Sequence, residues 1–111
     1  MKFERGSIIH TEYGDSKYLL MVDNYTGESE GLTFLFRCLP NGKKDPFPPT
    51  PGDSLYVGTV QKRIDRPATQ KEKKLLLSSL SRDIDLYMKL YEACYKKPSP
   101  LFEILLNHVL K

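Results

Sequence analysis

Basic side chains form the densest group of chemistry-bearing residues in this sequence of 111 amino acids. Six of them fall between positions 62 and 74, with only two carboxylates among them. Lysine and arginine neutralise phosphates, so this run predicts either a surface that faces a polyanion or one solvated helix face. Tyr18 and Tyr56 would then be available to stack on bases. The basic residues are Lys62, Arg63, Arg66, Lys71, Lys73 and Lys74.

The charge of the chain changes sign along its length. Positions 1–60 hold six basic and eight acidic residues, a net charge of −2, and positions 61–111 hold eleven and six, a net charge of +5. These sum to the formal net charge of +3, with a sequence pI of about 8.8. A dedicated nucleic-acid-binding domain usually has a higher pI than this chain. Protein binding is therefore the first hypothesis, and nucleic-acid binding is the alternative.

A proline-rich loop is the candidate surface for protein binding. Four prolines fall within positions 46–51, and the lysine–proline spacing is typical of the polyproline segments that SH3 domains bind. The same composition also favours a stiff connector between strands. An aromatic residue in this loop and the apolar face of the last helix predict contacts with another protein. The candidate residues are Phe47, Pro48, Pro49, Phe102 and Leu106.

Catalytic and metal-binding patterns do not emerge from the sequence. Asp83 and Asp85 are two positions apart on a predicted helix, so they diverge by about 200° and cannot act as a carboxylate pair. Gly-rich phosphate loops and nucleophile elbows are absent. We therefore predict no catalytic residue, metal or cofactor. The soft ligands, none at metal-site spacing, are His10, His108, Cys38 and Cys94.

Hydrophobic periodicity predicts strands first and helices second. Apolar, β-branched and aromatic residues favour strands at 7–13, 17–25, 32–39 and 54–64. Thr69 and Glu72 fit a capping box, and the apolar stripe that follows predicts a helix to about Cys94, with a break near Ser81 as an alternative. A last helix begins after Ser99.

These elements predict one α+β domain over residues 1–111, with a β-rich part (1–65) and a helical part (66–111). About four antiparallel strands form a small SH3-like barrel or a curled sheet, and two or three helices follow. No apolar run approaches the roughly 20 residues of a membrane span, and positions 1–6 lack a signal-peptide pattern. We expect a cytoplasmic protein with no membrane association.

Four segments, at 3–9, 17–22, 31–34 and 66–73, resemble small uncharacterised proteins of phages and mobile elements of gut bacteria. That resemblance spans residues 3 to about 80. It implies that the protein belongs to a phage or mobile element but implies no mechanism. The chain is also similar to the PemK/MazF-type ribonuclease toxins, which are small barrels with C-terminal helices. Where that family has an arginine this chain has Lys17, and Arg37 and Cys38 stand near the family's Ser or Thr. The family's catalytic pair is therefore not reproduced.

The sequence supports three functional hypotheses. The first is a non-enzymatic interaction module that binds a protein partner, or a second copy of itself, through the proline-rich loop or the apolar helix face. The second is a small barrel that binds nucleic acid through positions 62–74. The third is a degenerate relative of the ribonuclease toxins.

Overall fold

The computed structural model describes residues 3–27, 31–44, 54–56, 63–98 and 101–110. Five strands come first within these ranges, and two helices follow. The strands are β1 (Ile8–Tyr13), β2 (Ser16–Gly27), β3 (Gly31–Cys38), β4 (Ser54–Tyr56) and β5 (Arg63–Pro67). The helices are α1 (Gln70–Tyr95) and α2 (Leu101–Leu110).

The strands form one antiparallel sheet in the order β4-β3-β2-β1-β5. The α+β class and the curled sheet predicted from the sequence are confirmed. Irregular pairing of β2 with β3 between Met21 and Gly27 marks bulges, which increase the twist of a sheet. Among the described residues the edge strands β4 and β5 do not pair with each other, so the predicted barrel alternative is wrong and the sheet stays open.

The predicted fourth strand, positions 54–64, is the main difference between expectation and structure. Its ends belong to two strands at opposite edges of the sheet, because β4 pairs with β3 and β5 pairs with β1. An alternating pattern indicates that a segment is extended, but it carries no information about which neighbour the segment pairs with. The sequence therefore located the extended segments and missed their division between two edges.

Both faces of the sheet are buried, and alternate residues supply them. Ile8 and Met21 are paired partners on the face that packs on the helices, in one cluster with Leu76 and Leu80. The next pair, Ile9 and Leu20, points to the other face and joins a second apolar cluster. This arrangement explains why β2 reads as a nearly continuous apolar run. The second cluster is formed by Phe3, Ile9, Leu20, Val22, Tyr25, Leu32 and Phe34.

Helix α1 begins at the predicted capping box. The Thr69 side chain accepts a hydrogen bond from the Glu72 backbone N–H, and the Glu72 carboxylate accepts one from the Thr69 N–H. The helix runs without a break through Ser81, whose hydroxyl donates to the carbonyl of Leu77 at 2.9 Å and so stays within the helical hydrogen-bond pattern. It ends at Tyr95, and Lys96 follows as the C-cap in the left-handed conformation.

A buried polar cluster attaches β5 to the rest of the sheet. Asp65 accepts hydrogen bonds from the Thr11 and Tyr25 hydroxyls, and from Nε of Arg63 at 3.0 Å. The side chains of Arg63 and Asp65 are both fully buried. A second bond from Arg63 reaches the carbonyl of Gly27. Both charged side chains have hydrogen-bond partners in this cluster. The edge strand therefore buries an ion pair without leaving either charge uncompensated.

Neither described helix has the length and hydropathy that a membrane-spanning segment requires. Within the same ranges, no three His, Cys, Asp or Glu side chains are grouped in a way that would hold a metal ion.

Candidate functional site

One candidate site is a groove with a volume of about 770 Å³, which we call the basic groove. It lies between the segment that precedes β1, the first turns of α1, and α2. Its lining residues are Phe3, Arg5, Gly6, Ser7, Ile8, Pro67, Gln70, Lys73, Lys74, Leu77, Ile104, Asn107 and His108.

One stripe of α1 forms a wall of this groove. Gln70, Lys73, Lys74 and Leu77 are spaced by three and four positions, so they lie on the same side of the helix. Lys71 is turned about 100° away from Gln70 and does not line the groove. Because of the helical period, Lys73 and Lys74 line the groove and Lys71 does not.

The opposite wall is the N-terminal segment, and α2 packs closely on it. Gly6 has a φ of +91°, and a Cβ at this position would lie 3.1 Å from Cγ2 of Ile104. Nε2 of His108 lies 3.1 Å from the carbonyl oxygen of Gly6. Because a carbonyl only accepts, Nε2 carries the proton and donates this hydrogen bond. A glycine is thus required for both the backbone conformation and the contact with α2.

The groove carries positive charge only. Its described lining contains Arg5, Lys73 and Lys74 and no carboxylate. No described carboxylate lies within ion-pair distance of either lysine. Arg5 has one partner outside the groove, because its Nε lies 2.9 Å from a carboxylate oxygen of Asp23. Lys73 and Lys74 have no such partner among the described carboxylates, so the site as a whole favours an anionic ligand.

A second cavity of about 390 Å³, which we call the aromatic pocket, shares Arg5 with the basic groove. Tyr91, Tyr95 and Lys97 contribute to its lining, together with Leu35 and Asp23. The Tyr91 and Tyr95 rings have centroids 4.7 Å apart and planes inclined by 41°. Tyr91 is buried and Tyr95 is 43% exposed. The pocket therefore offers an exposed ring backed by a buried one, and its lining includes Lys97 and the Arg5–Asp23 ion pair.

Arg66 belongs to an internal network at the start of α1. Its guanidinium donates to both carboxylate oxygens of Glu72, at 2.8 and 3.1 Å, and His10 Nδ1 lies 2.9 Å from the same carboxylate. These bonds from Arg66, with those from the Thr69 N–H and His10, outweigh the effect of burial and lower the pKa of Glu72 to about 2. Arg66 thus already has an anionic partner within the domain.

The structure divides the basic run predicted as one polyanion-facing stripe. Lys73 and Lys74 line the basic groove, whereas Lys71 is exposed outside it. Arg63 is 1% exposed and paired with Asp65, so it does not reach the surface. Lys62 lies outside the described residues. Tyr18 is half-buried beneath the Arg37 guanidinium, which lies 4.3 Å from its ring centroid, and no side-chain position is described for Tyr56.

The predicted protein-binding residues fall mostly outside the described structure. Phe47, Pro48 and Pro49 lie in an undescribed range, and Phe102 is in α2 with no described side chain. Leu106 is on α2 and 41% exposed. The role of these residues in protein binding stays a prediction.

Arg5, Asn107 and Tyr95 are site residues that the sequence did not indicate. The spacing of Gln70, Lys73, Lys74 and Leu77 was readable as one helix face. By contrast, the contact of the N-terminal segment with α2 joins residues 102 positions apart, for which the sequence has no local signal. Comparison of the chain with protein-family models, curated proteins and solved structures found no match. The resemblances to mobile-element proteins and toxin barrels therefore stay predictions.

Proposed function

We propose that this domain binds nucleic acid, with the phosphates lying in the basic groove. The observation that carries the proposal is the charge of the lining, which has three cations and no carboxylate among its described residues. A nucleic-acid strand presents one negative charge per phosphate, and neutralisation of these charges by lysine and arginine supplies most sequence-independent affinity. The proposal keeps the nucleic-acid hypothesis drawn from positions 62–74 but restricts it to Lys73 and Lys74 of that run and adds Arg5.

The polar residues of the groove also suit a sugar–phosphate backbone. Protein contacts to phosphate and sugar come from Lys and Arg, from Ser, Asn and Gln side chains, and from backbone N–H groups. Gln70, Asn107 and Ser7 stand in the groove beside the cations. The apolar residues of the lining would contact the sugar rings.

An acidic protein segment is the competing ligand, because it carries the same sign of charge. An extended peptide is usually held by adding a strand to a free sheet edge. The backbone of the groove wall is already used, since the Gly6 N–H donates to Val22 and the Ser7 carbonyl accepts from Val22. The wall formed by α1 presents side chains only. This geometry favours a ligand that is recognised through its charges.

The proposal is tested by fluorescence anisotropy with a labelled single-stranded oligonucleotide, measured over a series of salt concentrations. Three phosphate contacts at about 0.7 counterions each predict a slope of log K against log salt of about −2. The double variant Lys73→Gln/Lys74→Gln removes two contacts and lowers the slope to about −0.7. At 0.1 M salt the corresponding loss of affinity is about 25-fold.

A matched control is available on the same helix. Lys71 and Lys89 are exposed, lie outside both cavities and share one side of α1, because 18 residues make five turns. The double variant Lys71→Gln/Lys89→Gln changes the net charge equally and is expected to bind within about twofold of the wild type. Equal losses in both double variants would contradict binding in the groove.

Displacement of the oligonucleotide by polyglutamate of equal charge at equal concentration would identify an acidic protein segment as the ligand instead.

Protein binding through the apolar helix face stays the second candidate. The described observation that favours it is the exposure of Leu106, together with that of Leu86, which is 57% exposed on α1. Exposed leucines on helices can contact a partner. Size-exclusion chromatography with light scattering tests the self-association form of this hypothesis, and a monomer at every concentration would exclude it.

A further inference from the structure

We propose that the nucleic acid bound by the basic groove is single-stranded and that one of its bases stacks on Tyr95 in the aromatic pocket. This inference rests on the proposed function. It adds a second contact surface on the same molecule and a preference for single-stranded over double-stranded nucleic acid.

The aromatic pocket has the composition of a base-stacking site. Tyr95 is 43% exposed and Tyr91 is buried behind it, with ring centroids 4.7 Å apart, so the outer ring is supported from within the fold. Lys97 places positive charge beside the rings, and Arg5 also lines the pocket. The carboxylate in the pocket, Asp23, is paired with Arg5 Nε at 2.9 Å and accepts a bond from Thr33, so its charge is compensated.

Arg5 connects the aromatic pocket to the basic groove, because its side chain lines both. Lys74 and Tyr95 are 21 residues apart on α1, which corresponds to about 32 Å along the helix axis. A strand that follows this path would cross Arg5 between the two sites. At about 3.4 Å per nucleotide it needs roughly 10 nucleotides to contact both.

The stacking contact requires a base whose face is free. In a duplex the bases stack on one another, whereas a single strand can turn a base outward onto an aromatic side chain. Tyrosine is sequence-tolerant in this role because every base has a π-face. A duplex can still place its phosphates in the basic groove, so the two kinds of ligand share Lys73 and Lys74 and differ in their dependence on Tyr95.

The sequence provides a direct reporter, because the chain contains no tryptophan. In the variant Tyr95→Trp the indole is the single tryptophan and keeps a flat ring in the pocket. We expect its fluorescence to be quenched by an oligothymidylate of about 12 nucleotides and much less by one of about 4 nucleotides, which is too short to contact Lys74 and position 95 together. The control Leu86→Trp lies nine positions earlier, about 180° around the helix, and is expected to show no quenching.

A second measurement uses truncation of the ring. Tyr95→Ala is expected to weaken binding of the single-stranded 12-mer about tenfold and to leave binding of a duplex of equal length unchanged. Tyr95→Phe retains the ring and is expected to bind like the wild type. Circular dichroism of each variant checks that the helix is intact.

The outcomes separate the two proposals. Binding that depends on Lys73 and Lys74 but is insensitive to Tyr95→Ala, with no quenching in Tyr95→Trp, would overturn the stacking inference and leave the proposed function in place. Equal loss of single-stranded and duplex binding in Tyr95→Ala would also overturn it. Absence of any binding by the wild-type protein would refute the proposed function itself.

Discussion

The buried pair of Arg63 and Asp65 allows the sharpest prediction about stability. Both side chains have no exposed surface, and the carboxylate also accepts bonds from the Thr11 and Tyr25 hydroxyls. Asp65→Ala leaves the guanidinium buried without its counter-charge. Removing one partner of a buried ion pair costs about 3–5 kcal/mol, which is a large part of the roughly 5–15 kcal/mol that stabilises a typical domain.

The double variant Arg63→Met/Asp65→Ala separates the charge effect from the loss of hydrogen bonds. It removes the uncompensated charge and leaves two hydroxyls without their acceptor, at about 1 kcal/mol each, while the partly exposed Gly27 carbonyl loses its donor at a smaller cost. We therefore expect a loss of about 2 kcal/mol, smaller than that of Asp65→Ala alone.

Urea unfolding followed by circular dichroism measures both variants, and thermal unfolding provides a second reading. The single variant is expected to lower the melting temperature by about 15 °C, from roughly 4–5 °C per kcal/mol at this size. A single variant within about 1 kcal/mol of the wild type, or a double variant less stable than the single one, would show that the buried charge pair does not determine the stability of this cluster.

Two further predictions concern the network at the start of α1 and the wall of the basic groove. The folded-state pKa of Glu72, about 2, lies below its ordinary value of 4.5, so its contribution to stability is present above about pH 4.5 and is lost as the pH falls towards 2. Glu72→Gln is therefore expected to cost about 1–3 kcal/mol in urea unfolding at pH 7 and clearly less at pH 2, where the folded carboxyl is half protonated, and a pH-independent cost would contradict the assignment. Gly6→Ala combines a φ of +91° with a Cβ only 3.1 Å from Ile104, so we expect a loss of about 1–3 kcal/mol in the same assay. An alanine variant as stable as the wild type would show that this close packing of α2 does not form in solution.

The sequence predicted the elements of this fold better than their arrangement. Alternation identified the first three strands, and the Thr69–Glu72 pattern identified the start of α1, because hairpin pairing and helix capping are local. The placement of β4 and β5 at opposite edges depends on long-range pairing, for which a period of two gives no signal.

The burial of Arg63 also differs from its predicted place in an exposed basic run. Arg63 is 1% exposed and Ile64 is 61% exposed, the reverse of what their side chains suggest. The reason is the carboxylate two positions further on, which lies on the same face of the strand as Arg63 and neutralises it. An arginine with an aspartate at the second position along a strand can therefore turn inward, and a count of basic residues alone overestimates the surface charge.

The candidate site was only partly readable from the sequence. Lys73 and Lys74 stood in the basic run, and their position on one stripe of α1 follows from the helical period. Arg5 and His108 reach the same groove from opposite ends of the chain, so their contribution depends on how α2 packs on the N-terminal segment. Tyr95 follows directly after the apolar stripe of α1, and a tyrosine at such a position suggests a buried core residue.

The central claim, that nucleic acid lies in the basic groove, is tested most directly by an NMR titration of the ¹⁵N-labelled protein with a single-stranded 12-mer. We expect amide shifts to change at positions 4–7, 70–77 and 104–108, the three segments that enclose the groove. Changes confined to the hairpin of β1 and β2, or to the exposed side of α1 around Lys71 and Lys89, would contradict it.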